Sequence, residues 1–226
     1  PASPGESGRA FTGMNSVLAP RTLNELADAV RSSPRLLAVG ARTKPGLSEL
    51  DWPRLATTSL KGIVEYNPSE FTFTALAGTP VKEIAAALSE RGQYLPFDPV
   101  LVDAGATLGG TVAAGLNGPG RFRFGGIRDF ILGVRFVDGR GQLLRMGGKV
   151  VKNAAGFDLP KFFVGSMGRF GVMGELTFKV FPKRTTSLTL KLKATDIQSA
   201  TRIITEAAHT RWELDALDIV PAGDVC

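Results

Sequence analysis

Apolar residues recur at helical spacing in two regions before residue 100, and each region carries its own start signal. The apolar face of the first helix consists of Leu23, Leu26, Ala27 and Val30. Thr22 before it, with Glu25 three residues later, predicts a capping box at its N-terminus. The second helix is predicted to begin at Pro80, with Thr79 as its cap, and to stop at Gly92.

Alternating and short continuous apolar runs predict strands in the same part of the chain. Residues 36–39 and 71–78 are such runs, and 130–146 predicts a hairpin with its turn at 138–141. A later strand is predicted to end at Pro182. Its inward-facing residues are Leu176, Phe178 and Val180. Helices and strands alternate without the regular rhythm of a doubly wound sheet, so the predicted fold class is mixed α+β.

The character of the chain changes near Lys183. Glycine is frequent before this point and rare after it, while 187–194 and 196–212 predict a strand and an amphipathic helix. We therefore expect a domain boundary near Lys183, with 184–226 as the beginning of a second, incomplete domain. Residues 1–14 are expected to form a disordered lead-in.

Charge and cysteine content narrow the function classes. The net charge is +6, but the basic residues are scattered and form no stripe interleaved with aromatic residues, so we expect a solvated surface and no nucleic-acid partner. The single cysteine, Cys226, excludes an internal disulfide and a cysteine-held iron–sulfur cluster or structural zinc within these residues. No apolar run approaches the roughly 20 residues of a membrane helix. We therefore expect a cytoplasmic protein without a membrane span.

The turn after the first predicted strand combines a glycine with a hydroxyl group and two cations. In VGARTKP, Gly40 allows the backbone to approach a ligand, and successive N–H groups can form an anion-binding nest. Arg42, Thr43 and Lys44 add donors and positive charge. The turn has neither the Walker pattern nor the G-x-G-x-x-G pattern. A phosphate-binding turn and a surface turn that is basic by chance both fit it.

A second glycine-rich stretch, TLGGTVAAGLNGPGRFRFGGIRD, begins at Thr107. Gly109 and Gly110 precede a short helix of small residues, so an extended ligand can lie against backbone N–H groups at the helix N-terminus, and Thr111 can donate as well. An ordinary loop is the alternative. The later run GRFGVMG has glycine spacing similar to a dinucleotide fingerprint, but it leads into a strand rather than a helix.

Six motifs occur together in the order and spacing of one family. They are GARTKPGL, AGTPVKEIAAAL, LPFDP, ATLGGTVAAGLNGP, FGGIRDFILGVRFVDGRG and KNAAGFDLPKFFVGSMGRFGVMGELTFKVFP. Through them the chain resembles the FAD-binding domain of the vanillyl-alcohol oxidase / p-cresol methylhydroxylase (PCMH-type) superfamily, and within it the FAD-binding small subunits of glycolate oxidases (glycolate dehydrogenases). The resemblance implies a two-lobed α+β PCMH-type domain over 15–183, with lobes over 15–61 and 62–183, followed by the beginning of a cap domain.

The resemblance also implies where FAD lies. The pyrophosphate would be held by Gly40, Ala41, Arg42, Thr43 and Lys44. The pyrophosphate and ribityl region would meet Thr107, Gly109, Gly110 and Thr111. The adenosine end would be enclosed by Gly125, Arg128, Asp129, Gly171 and Val172. Pro96 and Asp98 would lie close to the flavin, and Gly115 is a further implied contact.

The chain departs from the family at the covalent attachment of the flavin. Several members attach the flavin through a histidine in one of these turns, whereas the only histidine here, His209, lies outside every motif. We therefore predict non-covalent FAD, with His209 as an ordinary helix residue. Lys149, Lys152 and Asn153 either face the flavin or form a solvated turn. No catalytic residue and no metal site is assigned, because acid–base residues of the family usually lie in the cap domain.

The resemblance implies a flavin-dependent oxidoreductase that oxidises glycolate or a related small 2-hydroxy acid by hydride transfer to the flavin. Electrons would leave through other oxidase subunits, including an iron–sulfur subunit, as in glycolate-oxidase-like assemblies. The alternative is a non-catalytic FAD-binding or assembly subunit of such a complex.

Overall fold

A computed structural model describes the chain over residues 17–47, 50–148 and 158–220. Within these residues the helices and strands form a mixed α+β fold, which confirms the predicted class. The predicted lead-in at 1–14 lies outside the described residues. No helix in the described part of the chain has both the length and the apolar character needed to cross a membrane.

The helices and strands build one parallel and two antiparallel sheets. The strands, in chain order, are β1 (Val17–Leu18), β2 (Leu37–Val39), β3 (Arg54–Ala56), β4 (Ile63–Asn67), β5 (Thr72–Leu76), β6 (Gln93–Tyr94), β7 (Ile131–Val137), β8 (Leu143–Gly147), β9 (Val172–Lys179) and β10 (Phe181–Pro182). The α-helices are α1 (Leu23–Arg31), α2 (Val81–Ser89), α3 (Leu108–Ala114), α4 (Arg121–Phe124), α5 (Leu159–Phe162) and α6 (Ile197–Ala208). The small parallel sheet has the order β1–β3–β2, the large antiparallel sheet has the order β4–β5–β9–β7–β8, and β10 pairs with β6.

α1 joins two parallel strands of the small sheet and also packs against the large sheet. The Thr22 side chain accepts the N–H of Glu25 at 3.1 Å, which confirms the predicted cap. The Glu25 carboxylate returns to the N–H of Arg21, one residue earlier than a capping box requires. Leu26 is fully buried, in a cluster that includes Val172 of β9. The helix therefore fixes the small sheet against the large one.

The larger core lies on one face of the five-stranded sheet, where α2 and α3 contribute to it. Phe73 of β5 and Phe178 of β9 are register partners, and their stacked ring centroids lie 5.8 Å apart. Phe97, fully buried, packs against Phe178 at a centroid distance of 5.5 Å. Burial of large apolar rings is a major favourable contribution to folding, and Leu108 and Val112 of α3 belong to the same buried cluster.

The predicted cap of α2 is wrong, although the helix itself is confirmed. Thr79 donates its hydroxyl to the carbonyl of Leu76 at 2.7 Å and accepts the N–H of Gly62 at 2.9 Å. α2 begins after Pro80 without a side-chain cap. Thr79 lies in the tight turn that follows β5, where these backbone groups are nearer than the first turn of the helix.

The predicted strand at 187–194 is also wrong, because these residues have no regular secondary structure. Leu188, Leu190 and Leu192 are 85%, 61% and 67% exposed. Alternation predicts a strand only where a neighbouring strand covers the apolar face, and no described strand lies beside this run. The predicted helix after it is confirmed as α6, and Asp196 caps it.

Beyond α6, ion pairs join the chain to α4 and to the residues that follow β10. Arg123 of α4 lies 2.9 Å from Glu213 and 3.5 Å from Asp215, and Arg184 lies 3.3 Å from Asp215. The hydrogen bond from Arg123 lowers the pKa of Glu213. Burial, and next the charge of Asp215, raise the pKa of Tyr94 beside this network. The predicted division of the chain near Lys183 stays a prediction.

Candidate functional site

A cleft opens between the turn that follows β2 and the helix α3, and its volume is about 860 Å³ when the part open to solvent is included. The predicted site residues that line it are Gly40, Ala41, Arg42, Thr43, Lys44, Thr107, Gly109, Gly110, Gly171 and Val172. Other residues of the lining, which were not predicted, include Thr57, Ala77, Ala113, Ala114, Met167 and Met173. Three segments distant in the sequence therefore meet around one cleft.

The turn after β2 has two features of an anion-binding nest, a left-handed residue and unpaired backbone N–H groups. Arg42 has a φ of 55°, in the left-handed region that side-chain-bearing residues seldom adopt. The N–H groups of Ala41, Arg42 and Thr43 have no hydrogen-bond partner within the described ranges. Successive unpaired N–H groups around a left-handed residue form a concave donor site, and phosphate oxygens are suited to it.

Two cations accompany this nest. Arg42 is exposed, whereas Lys44 is half-buried, and its ammonium lies 3.3 Å from the hydroxyl of Thr43. Burial lowers the pKa of Lys44, because the charged form loses hydration. An anion in the cleft would offset this loss, so binding of a phosphate and protonation of Lys44 favour each other.

The nest and α3 approach each other closely because Gly40 has no side chain. A Cβ at Gly40 would clash with the hydroxyl of Thr107, which caps α3. At Gly109, a Cβ would lie only 2.8 Å from the Cβ of Ala77. Glycine at position 40 therefore lets the β2 turn approach α3, and glycine at position 109 lets α3 approach the turn that follows β5.

The N-terminus of α3 offers fewer free donors than the glycine pattern suggested. Leu108 donates its N–H to the carbonyl of Thr79 at 2.9 Å, and Gly109 donates to the carbonyl of Ala77 at 2.7 Å. Gly110 donates to the hydroxyl of Thr107 at 3.3 Å, a long bond. Gly109 therefore lines the cleft without a free donor, whereas the N–H groups of Ala41, Arg42 and Thr43 are unpaired within the described ranges.

Thr111 lies one turn along α3 and is 1% exposed. It is not among the residues that line the cleft, and its hydroxyl has no hydrogen-bond partner in the described part of the molecule. The hydroxyl of Ser166, on the segment that packs beside α3, also lacks one. Thr111 therefore contributes no donor to the described cleft lining, although the resemblance implies a contact between Thr111 and the cofactor.

Six further predicted residues lie in or beside the glycine-rich turn that follows α3, outside the cleft lining. They are Pro96, Asp98, Gly115, Gly125, Arg128 and Asp129. Asp129 accepts the N–H of Gly126 at 2.9 Å, and a Cβ at Gly125 would lie 2.5 Å from the same carboxylate. Gly115 ends α3 with a φ of 66° and packs against Gly165. Arg128 is exposed and Pro96 is buried. The structure therefore separates these six residues from the ten that line the cleft.

The other residues considered for a chemical role do not line the described cleft. Lys149, Lys152 and Asn153 lie outside the described residues. His209 caps the C-terminus of α6, where its Nδ1 lies 2.6 Å from the carbonyl of Thr205. Among the described residues, no group of three or more histidine, cysteine, aspartate or glutamate side chains is placed to hold a metal ion.

Thr57 lines the cleft but was not predicted from the sequence, because it reaches the cleft through long-range contacts. Its hydroxyl donates to the carbonyl of Val39 at 3.3 Å, and its own carbonyl packs against Gly78 in the turn before α2. Thr57 thereby links the end of β2 to the large sheet. Met167 contributes through a backbone N–H that bonds Ala113 of α3. Nothing in the sequence near Thr57 or Met167 indicates these long-range contacts.

Comparison with known proteins gives the family. Residues 14–147 match the family described as FAD binding domain. Glycolate oxidase subunit GlcE of Escherichia coli (strain K12) is 40% identical over 198 residues, which are 87% of this chain and 55% of that protein. Glycolate oxidase subunit GlcD of Bacillus subtilis (strain 168) is 31% identical over 71% of this chain and 32% of its own length. D-2-hydroxyglutarate dehydrogenase of Stutzerimonas stutzeri (strain A1501) is 28% identical over 69% of this chain and 33% of its own length. The chain thus spans about half the length of the first relative and about a third of the others.

A solved structure shares the fold. Alkyldihydroxyacetonephosphate synthase superposes with a TM-score of 0.62 at 20% identity, over 74% of this chain and 31% of that chain. At this identity the likeness concerns the fold alone.

The cleft fits FAD by its own chemistry. The unpaired N–H groups around Arg42 and the ammonium of Lys44 suit a pyrophosphate. Apolar side chains such as Met167 and Met173 suit an uncharged ring. The family match covers more than half of the chain, and the motifs that carried the resemblance lie largely within it. The chain belongs to the FAD binding domain family, and its cofactor is FAD.

Proposed function

We propose that this chain is the FAD-binding subunit of an oxidoreductase that oxidises glycolate or a related small 2-hydroxy acid. The observation that carries the proposal is the phosphate-binding cleft in a chain 40% identical to a glycolate oxidase subunit. Other relatives are named for D-2-hydroxyglutarate and D-lactate. All three compounds are carboxylates with a hydroxyl group on the adjacent carbon, so the proposed substrate class follows from their shared chemistry.

Within this proposal, the residues of the cleft bind and orient the cofactor. A bound FAD supplies the redox chemistry, because its ring system can accept two electrons and a hydride from the carbon that bears the hydroxyl. The β2 turn would hold the pyrophosphate through the N–H groups around Arg42 and through Lys44. Pro96 and Asp98 lie outside the described cleft lining, so a direct contact between them and the flavin stays a prediction.

The described cleft lining has cations but no carboxylate or histidine to take a proton from the substrate, and its lysine, Lys44, is assigned to the pyrophosphate. Its titratable side chains are Arg42 and Lys44. A general base for the substrate hydroxyl must therefore come from outside the described cleft lining, either from another part of the protein or from a partner. This observation also favours a second candidate function, in which the chain binds FAD and supports assembly while a partner carries out the oxidation.

We propose that FAD is bound without a covalent bond. No histidine, cysteine or tyrosine is among the described residues that line the cleft, and His209 lies on α6 instead. Precipitation of the yellow holoprotein with acid should leave all flavin in the supernatant. Flavin that stays on the washed polypeptide would contradict the proposal.

We propose that electrons leave the flavin through other subunits, including an iron–sulfur subunit. Two of the relatives are named as subunits of a glycolate oxidase. The 226 residues contain one cysteine, Cys226, so they do not supply the ligands of a cysteine-held cluster. Purification with candidate subunits followed by iron analysis tests this part. A cytoplasmic location is a further part of the proposal, and cell fractionation tests it.

Anaerobic reduction separates the two candidate functions. The purified chain, alone and with candidate subunits, is mixed with glycolate or D-lactate, and the visible flavin absorbance is followed. 3-Hydroxypropionate is the matched control, because its hydroxyl lies one carbon further from the carboxylate. Bleaching by the 2-hydroxy acids, without bleaching by 3-hydroxypropionate, supports the oxidoreductase. Bleaching that requires a second flavoprotein supports the assembly role, and a flavin that no 2-hydroxy acid reduces under any condition contradicts the proposed substrate class.

A further inference from the structure

Asp98 has an unusual backbone conformation for its residue type. It follows the buried segment 95–97 and has a φ of 50°. Side-chain-bearing residues adopt this left-handed region at a cost, and aspartate and asparagine tolerate it best. Such a conformation persists where the surrounding contacts hold it in place.

Two glycines from a distant part of the chain provide those contacts. The carbonyl of Asp98 accepts the N–H of Gly118 at 2.7 Å, and its carboxylate accepts the N–H of Gly120 at 3.1 Å. A Cβ at Gly118 would clash with that carboxylate, and a Cβ at Gly120 would lie 3.0 Å from the Cβ of Asp98. The neighbouring residues Pro99 and Asn117 form a bridge beside these bonds. We call this set of contacts the Asp98 clasp.

The Asp98 clasp closes a loop of chain that contains α3. From Asp98 the chain runs through 99–106 into α3, leaves it at Gly115 and returns to Asp98 at Gly118 and Gly120. Asn117 continues the connection, because its side chain accepts the N–H of Ile127 at 2.8 Å and donates to the carbonyl of Gly115 at 3.1 Å. Closure of a loop at its base restricts the positions open to the helix within it.

The carboxylate acts in the clasp as a hydrogen-bond acceptor rather than as one half of an ion pair. No arginine or lysine in the described ranges forms a salt bridge with Asp98. An asparagine at this position keeps an acceptor oxygen and tolerates the left-handed backbone. We therefore expect the clasp to depend on an acceptor oxygen at position 98 more than on the negative charge.

We propose that Asp98 is a positioning residue for the cofactor. It does not line the cleft, but it fixes α3, which forms one wall of the cleft, by closing the loop that carries this helix. The inference rests on FAD binding in the cleft as proposed above. Loss of the clasp lets α3 move relative to the β2 turn, so FAD dissociates faster while the rest of the fold is kept.

Three substitutions of Asp98 separate its backbone from its side chain. Asp98→Asn keeps both the conformation and the acceptor, Asp98→Gly keeps only the conformation, and Asp98→Ala keeps neither. We expect the FAD dissociation constant to stay within about threefold in the asparagine variant and to rise about tenfold or more in the other two. Asp103→Ala, an exposed carboxylate in the same loop, is the matched control and should leave FAD affinity unchanged.

Amide hydrogen exchange distinguishes local loss of the Asp98 clasp from a general loss of stability. In the glycine and alanine variants, exchange should accelerate at Gly118, Gly120 and along α3, while β5 and β9 stay protected. Should Asp98→Ala not fold, Gly118→Ala tests the same contact, because its Cβ displaces the carboxylate.

The measured affinities and exchange rates distinguish the positioning role of Asp98 from a need for its charge. Unchanged FAD affinity and exchange in Asp98→Gly and Gly118→Ala would overturn the positioning role. An asparagine variant as weak as the alanine variant would overturn the acceptor argument and indicate that the charge itself is required. A wild-type chain that binds no FAD would instead refute the proposed function, so the two failures are distinguishable.

Discussion

Gly40 and Gly46 lie in the same turn, but only Gly40 lacks room for a side chain. A Cβ at Gly40 would clash with the Thr107 hydroxyl, whereas a Cβ at Gly46 would meet nothing within 4 Å. We expect Gly40→Ala to raise the FAD dissociation constant about tenfold or more, because the nest and α3 must move apart. Gly46→Ala should bind FAD as the wild type does. Fluorescence titration with FAD measures both, and equal affinity in the two variants would refute the close approach of the walls.

Lys44 gives FAD binding a dependence on pH. Burial lowers its pKa, so Lys44 loses its proton at a lower pH than an exposed lysine does. The pyrophosphate favours the charged form, and affinity should therefore fall as the pH rises through this lowered pKa. In Lys44→Arg the fall should shift to higher pH, because a guanidinium stays charged up to about pH 12. Titrations from neutral to alkaline pH test this, and identical profiles for the two proteins would exclude Lys44 as the cause.

The residues of the β2 turn could be predicted because their chemistry is local. A glycine, a hydroxyl and two cations are adjacent in the sequence, and the structure adds the unpaired N–H groups around Arg42. Thr57 and Met167 reach the cleft through contacts with distant segments, so no local pattern announces them. The sequence also predicts a free N–H at Gly109, but this group donates to the carbonyl of Ala77, a residue far from it in the sequence.

At the scale of elements, α1 holds the two larger sheets together. Leu26 is 0% exposed and packs in the cluster that joins β3 to β7 and β9. Leu26→Ala should lower the free energy of unfolding by about 2–5 kcal/mol, through lost burial and the cavity left behind. Asn24→Ala, on the exposed side of the same helix, should change it by less than about 0.5 kcal/mol. Urea denaturation measures both, and a small effect at Leu26 would show that the two sheets are joined elsewhere.

The segment 187–194 should be the site of first proteolysis. It is exposed and has no regular structure, and it contains Lys191 and Lys193. Brief treatment with trypsin should cut after these lysines and leave a larger fragment that still binds FAD, because every residue lining the cleft precedes them. Mass spectrometry identifies the cut. Resistance at both lysines, with cleavage inside β7 at Arg135 instead, would mean that the segment is paired as a strand.

Elements with a long, regular pattern were predicted well, and short or partner-dependent ones were not. α1, the hairpin of β7 and β8, and α6 each carry a cap, a turn or a full apolar face of their own. β1 and β6 have only two residues each, too few to show a period. The run at 187–194 has the period of a strand, but a strand also needs a neighbour, which the pattern of one segment does not reveal.

At the scale of the whole molecule, the cleft exists because three distant segments are fixed against one another. The small sheet supplies the nest, α3 supplies the facing wall, and the segment at the start of β9 closes one end with Gly171 and Val172. The cores under α1 and around Phe178 hold these parts in place. FAD binding therefore depends on the assembled fold, although the proposed phosphate contacts are concentrated in one short turn.

The most direct test of this account is a titration of the purified chain with FAD, repeated in the presence of excess ADP. ADP carries the same pyrophosphate and adenosine as FAD but has no flavin. We predict saturable binding of one FAD per chain, and competition by ADP but not by riboflavin, since the proposed contacts of Arg42 and Lys44 are with the pyrophosphate. Absence of saturable FAD binding, or binding that riboflavin displaces and ADP does not, would contradict the account.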